Sequence, residues 1–294
     1  MTRGIRICTL GALLALVAVA AGCATAPTHR SVAQEQAVEL NHRATAEYRR
    51  GDYSRALETF QQALLLEQSI EREEGMALNW YHLSLVYQRL GRMQEAEQAL
   101  DAVLLDDKRN YPAARLEEMI LRKAILAAAR NDGDEAQRWL QQAQASCGSD
   151  CALYGKILNL RAHLTMQRGD AREVLRITAA SLAANRDDPA ESANALRLQA
   201  QAHLALDDTA SATVAATAAL AADKTAGASA KIYQDLLLLG RASRATPALA
   251  RDYWLRAGDI ARATGDADAQ RAVQTLLGGL QPATAGQNPM GGHQ

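Results

Sequence analysis

One phrase recurs along this chain and constrains its fold more than any other feature. An apolar helical stretch leads into a Gly-Asp or Asn-Asp turn, followed by Ala-x-x-x-large-x-x-Ala. The first copy reads Ala44, Gly51-Asp52-Tyr53, Ala56, Phe60 and Ala63, and the second Trp80, Leu83, Tyr87, Gly91, Ala96, Leu100 and Val103. The third has Ile120, Ala124, Asn131-Asp132, Ala136, Leu140 and Ala143, and the fourth Leu158, Ala162, Gly169-Asp170, Val174 and Ser181. A fifth has Leu196, Ala200, Asp207-Asp208, Ala212 and Ala219, and a weaker sixth has Leu238, Ala250, Trp254 and Ala257. The copies start near residues 37, 77, 117, 155, 193 and 231. A chain of this kind cannot bury one unit's apolar face within that unit, so the copies must stack on one another.

Each copy reads as two antiparallel helices. Gly51, Gly91 and Gly169 stand where the chain leaves the first helix with positive φ, and Asn131 and Asp207 are the side-chain types that tolerate that region next best. Small residues such as Ala44, Ala56, Ala162 and Ala200 let helix axes approach, while Phe60, Leu100, Leu140 and Trp254 fill the space between pairs. The composition agrees: 48% of residues are apolar, only 4% aromatic, and there are six Pro, which suits helices throughout. The expected fold is all-α, a right-handed α-solenoid of about six helix-turn-helix units over residues 35–280, closed by a capping helix at 267–277 after the Gly265-Asp266 turn.

This pattern resembles the tetratricopeptide repeat family, and the resemblance extends over nearly all of 35–280. The second copy carries it best, with Trp80, Leu83, a small Ser84, Tyr87, Gly91 and Ala96 at family positions. Two features depart from the family: most copies lack the Pro that usually follows the second helix, and the spacing exceeds the usual period of about 34. Longer helices are the expected home of the extra residues.

The two ends read differently. Arg3 and Arg6 precede an apolar run from Ile7 to Ala21, too short for a comfortable span of about 20 residues and better suited to a cleaved signal over 1–22. Ala20, Ala21 and Gly22 before Cys23 resemble the lipobox of bacterial lipoproteins. The resemblance implies lipid on Cys23, and Ala24 in place of Asp implies the outer membrane, with the mature chain facing the periplasm. Residues 23–34 read as lipidated cysteine and flexible tether, and 281–294, with two Pro and three Gly, as a disordered tail.

Nothing in the sequence calls for catalysis. With 32 basic against 33 acidic side chains the chain is not a nucleic-acid binder. Phosphate loops, a nucleophile elbow, a zinc His-Glu-x-x-His helix and a dinucleotide fingerprint are all missing, and the six His have no ligand spacing. No metal or cofactor and no enzyme activity are expected. Once Cys8 leaves with the signal and Cys23 takes lipid, Cys147 and Cys151 remain. In an oxidising compartment so close a pair reads as a disulfide that fixes one angle between repeats; a redox or metal site is the alternative.

Function then falls to a surface. In the family it resembles, the first helix of each repeat lines a concave groove, and the matching positions here are Asn41, Tyr48, Arg49, Tyr81, Gln88, Arg89, Lys156, Asn159, His163, Asn194 and Arg197, with Gln167 and Gln201. Asn and Gln amides suit a peptide backbone and Arg a carboxylate, although each residue could equally be an ordinary solvated side chain. The third copy offers Leu121, Ile125 and Ala128 as an apolar floor. The expected function is a membrane-anchored noncatalytic adaptor for a protein partner, in envelope biogenesis, pilus or secretion assembly, or peptidoglycan enzyme regulation. The alternatives are a carrier of a small apolar ligand or envelope fragment that uses the floor, and a thiol redox protein that uses Cys147 and Cys151.

Overall fold

The computed structural model describes residues 30–147 and 151–280. The signal segment, the lipidation at Cys23 and the tail 281–294 fall outside the described residues. Thirteen helices and no strand occur among the described residues, so the fold is an all-α helical repeat. The chain forms two compact units that divide between Leu90 and Gly91.

The first unit holds α1 (Val32–Arg50), α2 (Tyr53–Ser69) and α3 (Glu73–Arg89). Gly51, with φ 84°, ends α1: its N–H reaches Tyr48 O, while the N–H of Asp52 reaches Glu47 O at 3.0 Å. Asp52 then caps α2 by accepting from the N–H of Arg55. The two-residue phrase thus performs two tasks, one residue reversing the chain in the left-handed region and the next starting the following helix. Phe60 fills the unit's centre at 1% exposure, stacked on His82 with ring centroids 4.8 Å apart. Ala44, Ala56 and Ala63 lie fully buried around it.

The second unit runs through α4 (Met93–Leu104), α5 (Ala113–Ala129), α6 (Gly133–Ser146), α7 (Tyr154–Gln167), α8 (Ala171–Ala184), α9 (Pro189–Ala205), α10 (Thr209–Ala226), α11 (Ser229–Ala242), α12 (Pro247–Ala263) and α13 (Ala267–Gly278). The turn device repeats at Asn131 (φ 61°) with Asp132, at Gly169 with Asp170, at Asp207 (φ 59°) with Asp208 and at Gly265 with Asp266. In each case the Asp carboxylate accepts from the N–H three residues on, a cap that contributes about 1 kcal/mol. Between α11 and α12 the device is missing: the chain turns through Ser243–Thr246 without positive φ, and Pro247 opens α12.

Consecutive pairs α5/α6, α7/α8, α9/α10 and α11/α12 pack as hairpins, and α5, α7, α9 and α11 also touch in sequence, forming an inner layer in this unit. Ala124, Ala162 and Ala200, all fully buried, permit those close crossings. Leu140 and Val174 fill the spaces between pairs, and Trp254 packs with Leu236, Leu239 and Ala257. Trp254 lies so close to α11 that only glycine fits at Gly240: a Cβ there would collide with the indole. The 40-residue second step departs from the expectation of longer helices. α4 is short, and residues 105–112 form an extended connection in which Asp106 holds Arg109 at 2.8 Å and Tyr111 at 3.2 Å.

Cys147, at the end of α6, and Cys151, just before α7, are joined by a disulfide with Cα atoms 5.5 Å apart. No helix among the described residues is long and apolar enough to cross a membrane.

Candidate functional site

In the first unit, the residues expected to line a groove fall into two small groups. Asn41 donates to Asn79 Oδ1 at 2.9 Å, and Asn79, fully buried, donates to Gly75 O at 2.9 Å, tying α1 to α3. The Tyr48 hydroxyl accepts from Arg89 Nε at 3.1 Å, and the Tyr48 ring meets Tyr53 edge-on at 5.5 Å. That hydrogen bond holds the Arg89 guanidinium above its usual range. Tyr81 is half-buried beside His82, Gln88 is half-buried, and Arg49 is exposed in the last turn of α1. Tyr48 and Arg89 are therefore brought together on one partly exposed patch, while Asn41 serves the helix seam.

In the second unit, two of the expected groove residues belong to the interior. Asn159 is 7% exposed: its amide donates to Glu191 O at 2.9 Å and to Glu191 Oε2 at 2.8 Å, and its carbonyl accepts from Ser181 Oγ at 2.6 Å. Arg197 is 5% exposed and spans three helices, donating from Nε to Asp235 Oδ1 on α11 at 2.8 Å, from Nη2 to Asp223 Oδ2 on α10, and from Nη1 to Asn194 Oδ1 at 3.0 Å. Neither is available as a solvent-facing clamp. The physical reason is the inner layer itself: this repeat position faces the next inner helix, so its polar groups satisfy one another across the seam. Asn194 also accepts from Lys231 Nζ at 2.7 Å. Lys156 is half-buried, and His163 is exposed with a ring nitrogen 3.2 Å from the Gln167 amide.

A second correction concerns the apolar floor. Leu121 and Ala128 are 3% and 5% exposed, inside the core shared by α5, α6 and α7, with Ile125 packed half-buried against it. These side chains seal the core rather than line a cavity.

The concave feature that sequence reasoning missed lies farther along. A groove of about 730 Å³ opens where α7, α9, α11 and α13 end. Met166, Leu204, Leu238 and Leu276 form its apolar part, and Gln201, Asp207, Arg241 and Arg244 its polar part. Gln201 alone of the expected residues is there. A signal did exist: Met166 and Leu204 occupy the same position in successive repeats, 38 residues apart. Arg241 and Arg244 are exposed, and among the described residues neither joins an ion pair. Arg244 lies over the Trp254 ring at 5.9 Å, a cation–π contact that orients it. With two guanidiniums against one carboxylate, the rim favours an anionic group set beside aliphatic surface.

About one helical turn before Gln201 on α9 and Leu238 on α11 stands a buried charge cluster. Asp235 is fully buried, and its Oδ2 has no hydrogen-bond partner among the described residues. Burial, together with the neighbouring Asp223 carboxyl, pushes the Asp235 carboxyl up to about 7 against the pull of Arg197. Burial also lowers Lys231, helped by the charge on Arg197. Among the described residues no group of His, Cys, Asp and Glu could hold a metal ion.

Comparison with known proteins supports the architecture. The family model described as Tetratricopeptide repeat matches residues 77–105. No curated protein sequence matches the chain significantly. Among solved structures, the hetero-tetramer of Cut9 and Hcn1 from the APC/C contains a similar chain at TM-score 0.65 and 14% identity, over 84% of this chain and 43% of that one. The present chain thus spans less than half the length of that relative. A Rap protein complexed with Competence and Sporulation Factor is similar at TM-score 0.56 and 14% identity, covering 85% of this chain and 76% of the other. PilF from Pseudomonas aeruginosa is similar at TM-score 0.51 and 15% identity, covering 84% and 100%. At these identities the likeness is one of fold.

Proposed function

We propose that this chain, an all-α protein of tetratricopeptide-type helical repeats, is a noncatalytic scaffold that captures a segment of a protein partner in the groove between α7, α9, α11 and α13. The observation that carries this reading is the pairing of Arg241 and Arg244, free of ion pairs among the described residues, with the aliphatic wall of Met166, Leu204, Leu238 and Leu276. The occupant that suits it is a polypeptide segment with an aliphatic side chain for that wall and a carboxylate for the arginines. A helical-repeat protein similar in fold has been solved complexed with Competence and Sporulation Factor, which supports the use of such a fold for holding a partner.

The same proposal places the scaffold at the outer membrane, anchored by lipid on Cys23 and facing the periplasm, in envelope assembly or in control of envelope enzymes. The supporting observations are the Ala20-Ala21-Gly22-Cys23 sequence, the basic leader before it and the Cys147–Cys151 disulfide, which suits an oxidising compartment.

The test is photocrosslinking in living cells from Gln201 and Arg241, with Tyr81 and Arg89 as the first-unit patch and the exposed outer position Val214 as control. One protein captured from Gln201 and Arg241 but not from Val214 is the expected result. Equal capture from both sides would refute the groove.

A further inference from the structure

The cluster of Arg197, Asp223 and Asp235 lies one helical turn from the groove on both helices that it joins. Gln201 follows Arg197 by four residues on α9, and Leu238 follows Asp235 by three on α11, so the buried link and the groove wall share the same helix faces. The link therefore sets how far α9 and α11 stand apart where a partner would enter.

The chemistry of the link is unbalanced in one respect. A single guanidinium receives two carboxylates, Asp223 at 4% exposure and Asp235 at 0%. Lys231, a second cation coupled to the same acids, gives its hydrogen bond to Asn194 Oδ1, which also takes Arg197 Nη1. Asp235 Oδ2 is left as a buried acceptor that nothing donates to among the described residues. A proton held between the two carboxyls supplies that missing donor and leaves one negative charge for one guanidinium, as in other like-charged carboxyl pairs.

The other charges around the link are one acid, Glu191, and one cation, Lys231, which acts on Asp223, Asp235 and Glu191 together and is itself disfavoured by burial and by Arg197, so two cations stand against three carboxyls. α9 contributes Glu191, Asn194 and Arg197, with Glu191 already bonded to Asn159 and Asn194. α10 contributes Asp223, and α11 contributes Lys231 and Asp235. From α12 the side chains in the core shared with α11 include the uncharged Trp254, Tyr253, Ala257 and Ile260.

Resting on the scaffold reading above, we infer that Arg197, Asp223 and Asp235 form a proton-loaded latch one helical turn from the groove: with the proton the latch holds α9 to α11 and the groove captures its partner, and without it the link loosens and capture weakens. The proton leaves from the Asp223–Asp235 pair to water, and two buried carboxylates then compete for one guanidinium.

The test uses the full chain with carbon-labelled aspartate, comparing the wild type with Asp235→Asn and Asp223→Asn. Expected is one carboxyl titration with a midpoint near neutrality, at about 7, absent from both variants. Amide exchange in α9 and α11, corrected for its chemical pH dependence, should rise roughly fivefold between about pH 6 and about pH 8.5 in the wild type and stay flat in Asp235→Asn. Crosslinking of a partner from Gln201 should fall over the same interval. A midpoint in the ordinary carboxylate range, or the same exchange rise in Asp235→Asn, would overturn the latch. A partner captured equally at both pH values would overturn its role while leaving the scaffold standing. Capture of nothing from any groove position at either pH would remove the scaffold reading, and this role for the latch with it.

Discussion

Replacing Arg197 with Met is the sharpest test of how the second unit is held together. Met keeps much of the aliphatic length but removes all three donor contacts: to Asp235 at 2.8 Å, to Asp223, and to Asn194 at 3.0 Å. Arg197 is 5% exposed and its two acid partners 4% and 0%, so water cannot take over its role without opening the seam. Removing one member of a buried ionic group costs about 3–5 kcal/mol, mostly because the remaining charges are stranded. For a chain of this size that corresponds to a fall in Tm on the order of 6–20 °C. Urea unfolding of the full chain followed by circular dichroism gives the number, and an unchanged slope shows that the folded state is comparably compact.

A signature beyond the size of the loss is available. Without Arg197 the Asp235 carboxyl loses the interaction that favours its charged form, so the deficit should shrink as pH falls. The triple variant Arg197→Met, Asp223→Leu, Asp235→Leu removes the stranded charge and should regain most of the stability. A loss below about 1 kcal/mol for Arg197→Met, or a triple variant no better than the single one, would refute the buried cluster as described.

The remaining expectations are simpler. In the wild type, Asp235 has a folded-state pKa above its unfolded value, so the folded chain holds an extra proton between the ordinary carboxylate range and about 7. Its contribution to stability is therefore present at acid pH and lost as pH rises toward 7, which urea midpoints over that interval should show and Asp235→Asn should abolish. Gly51→Ala forces a side chain into φ 84° and should cost about 1–2 kcal/mol, measured by urea unfolding; an unchanged midpoint would mean that α1 ends differently. Reducing Cys147–Cys151 should lower stability by at most about 2 kcal/mol, because the closed loop is so short, and thiol counts that are equal with and without reductant would show that no disulfide forms. Cys23→Ala should release the chain from the membrane fraction and abolish palmitate incorporation; retention of both would remove the lipid anchor from the proposal.

The helical turns were legible in the sequence because the signal is local. A residue tolerant of positive φ followed by Asp encodes both the end of one helix and the cap of the next, and Gly51-Asp52, Asn131-Asp132, Gly169-Asp170 and Asp207-Asp208 all say so within two residues. The turn after α11 carries no such phrase, which is why the sixth copy reads weakly. Asn159 and Arg197 were misread for the opposite reason. A polar side chain on a helix looks the same whether it faces water or a neighbouring helix, and only the distant partners, Glu191 for one and Asp223 and Asp235 for the other, decide which. Asp235, which occupies in the next repeat the position that Arg197 holds in its own, was the unused clue. The groove was illegible because the ends of four helices make it, and no single stretch of sequence carries its outline.

The seams between inner helices also fix the order in which the repeats can stand. Asn41 meets Asn79, Asn159 meets Glu191, and Arg197 meets Asp235, so these three junctions are each written in a different pair of polar groups. A tandem duplication of the α9/α10 pair would set one buried arginine facing another where an aspartate now stands. Lengthening the array by copying a unit, the simplest way for such a protein to grow, is closed at that junction, and insertion there requires that the facing residue change in the same step.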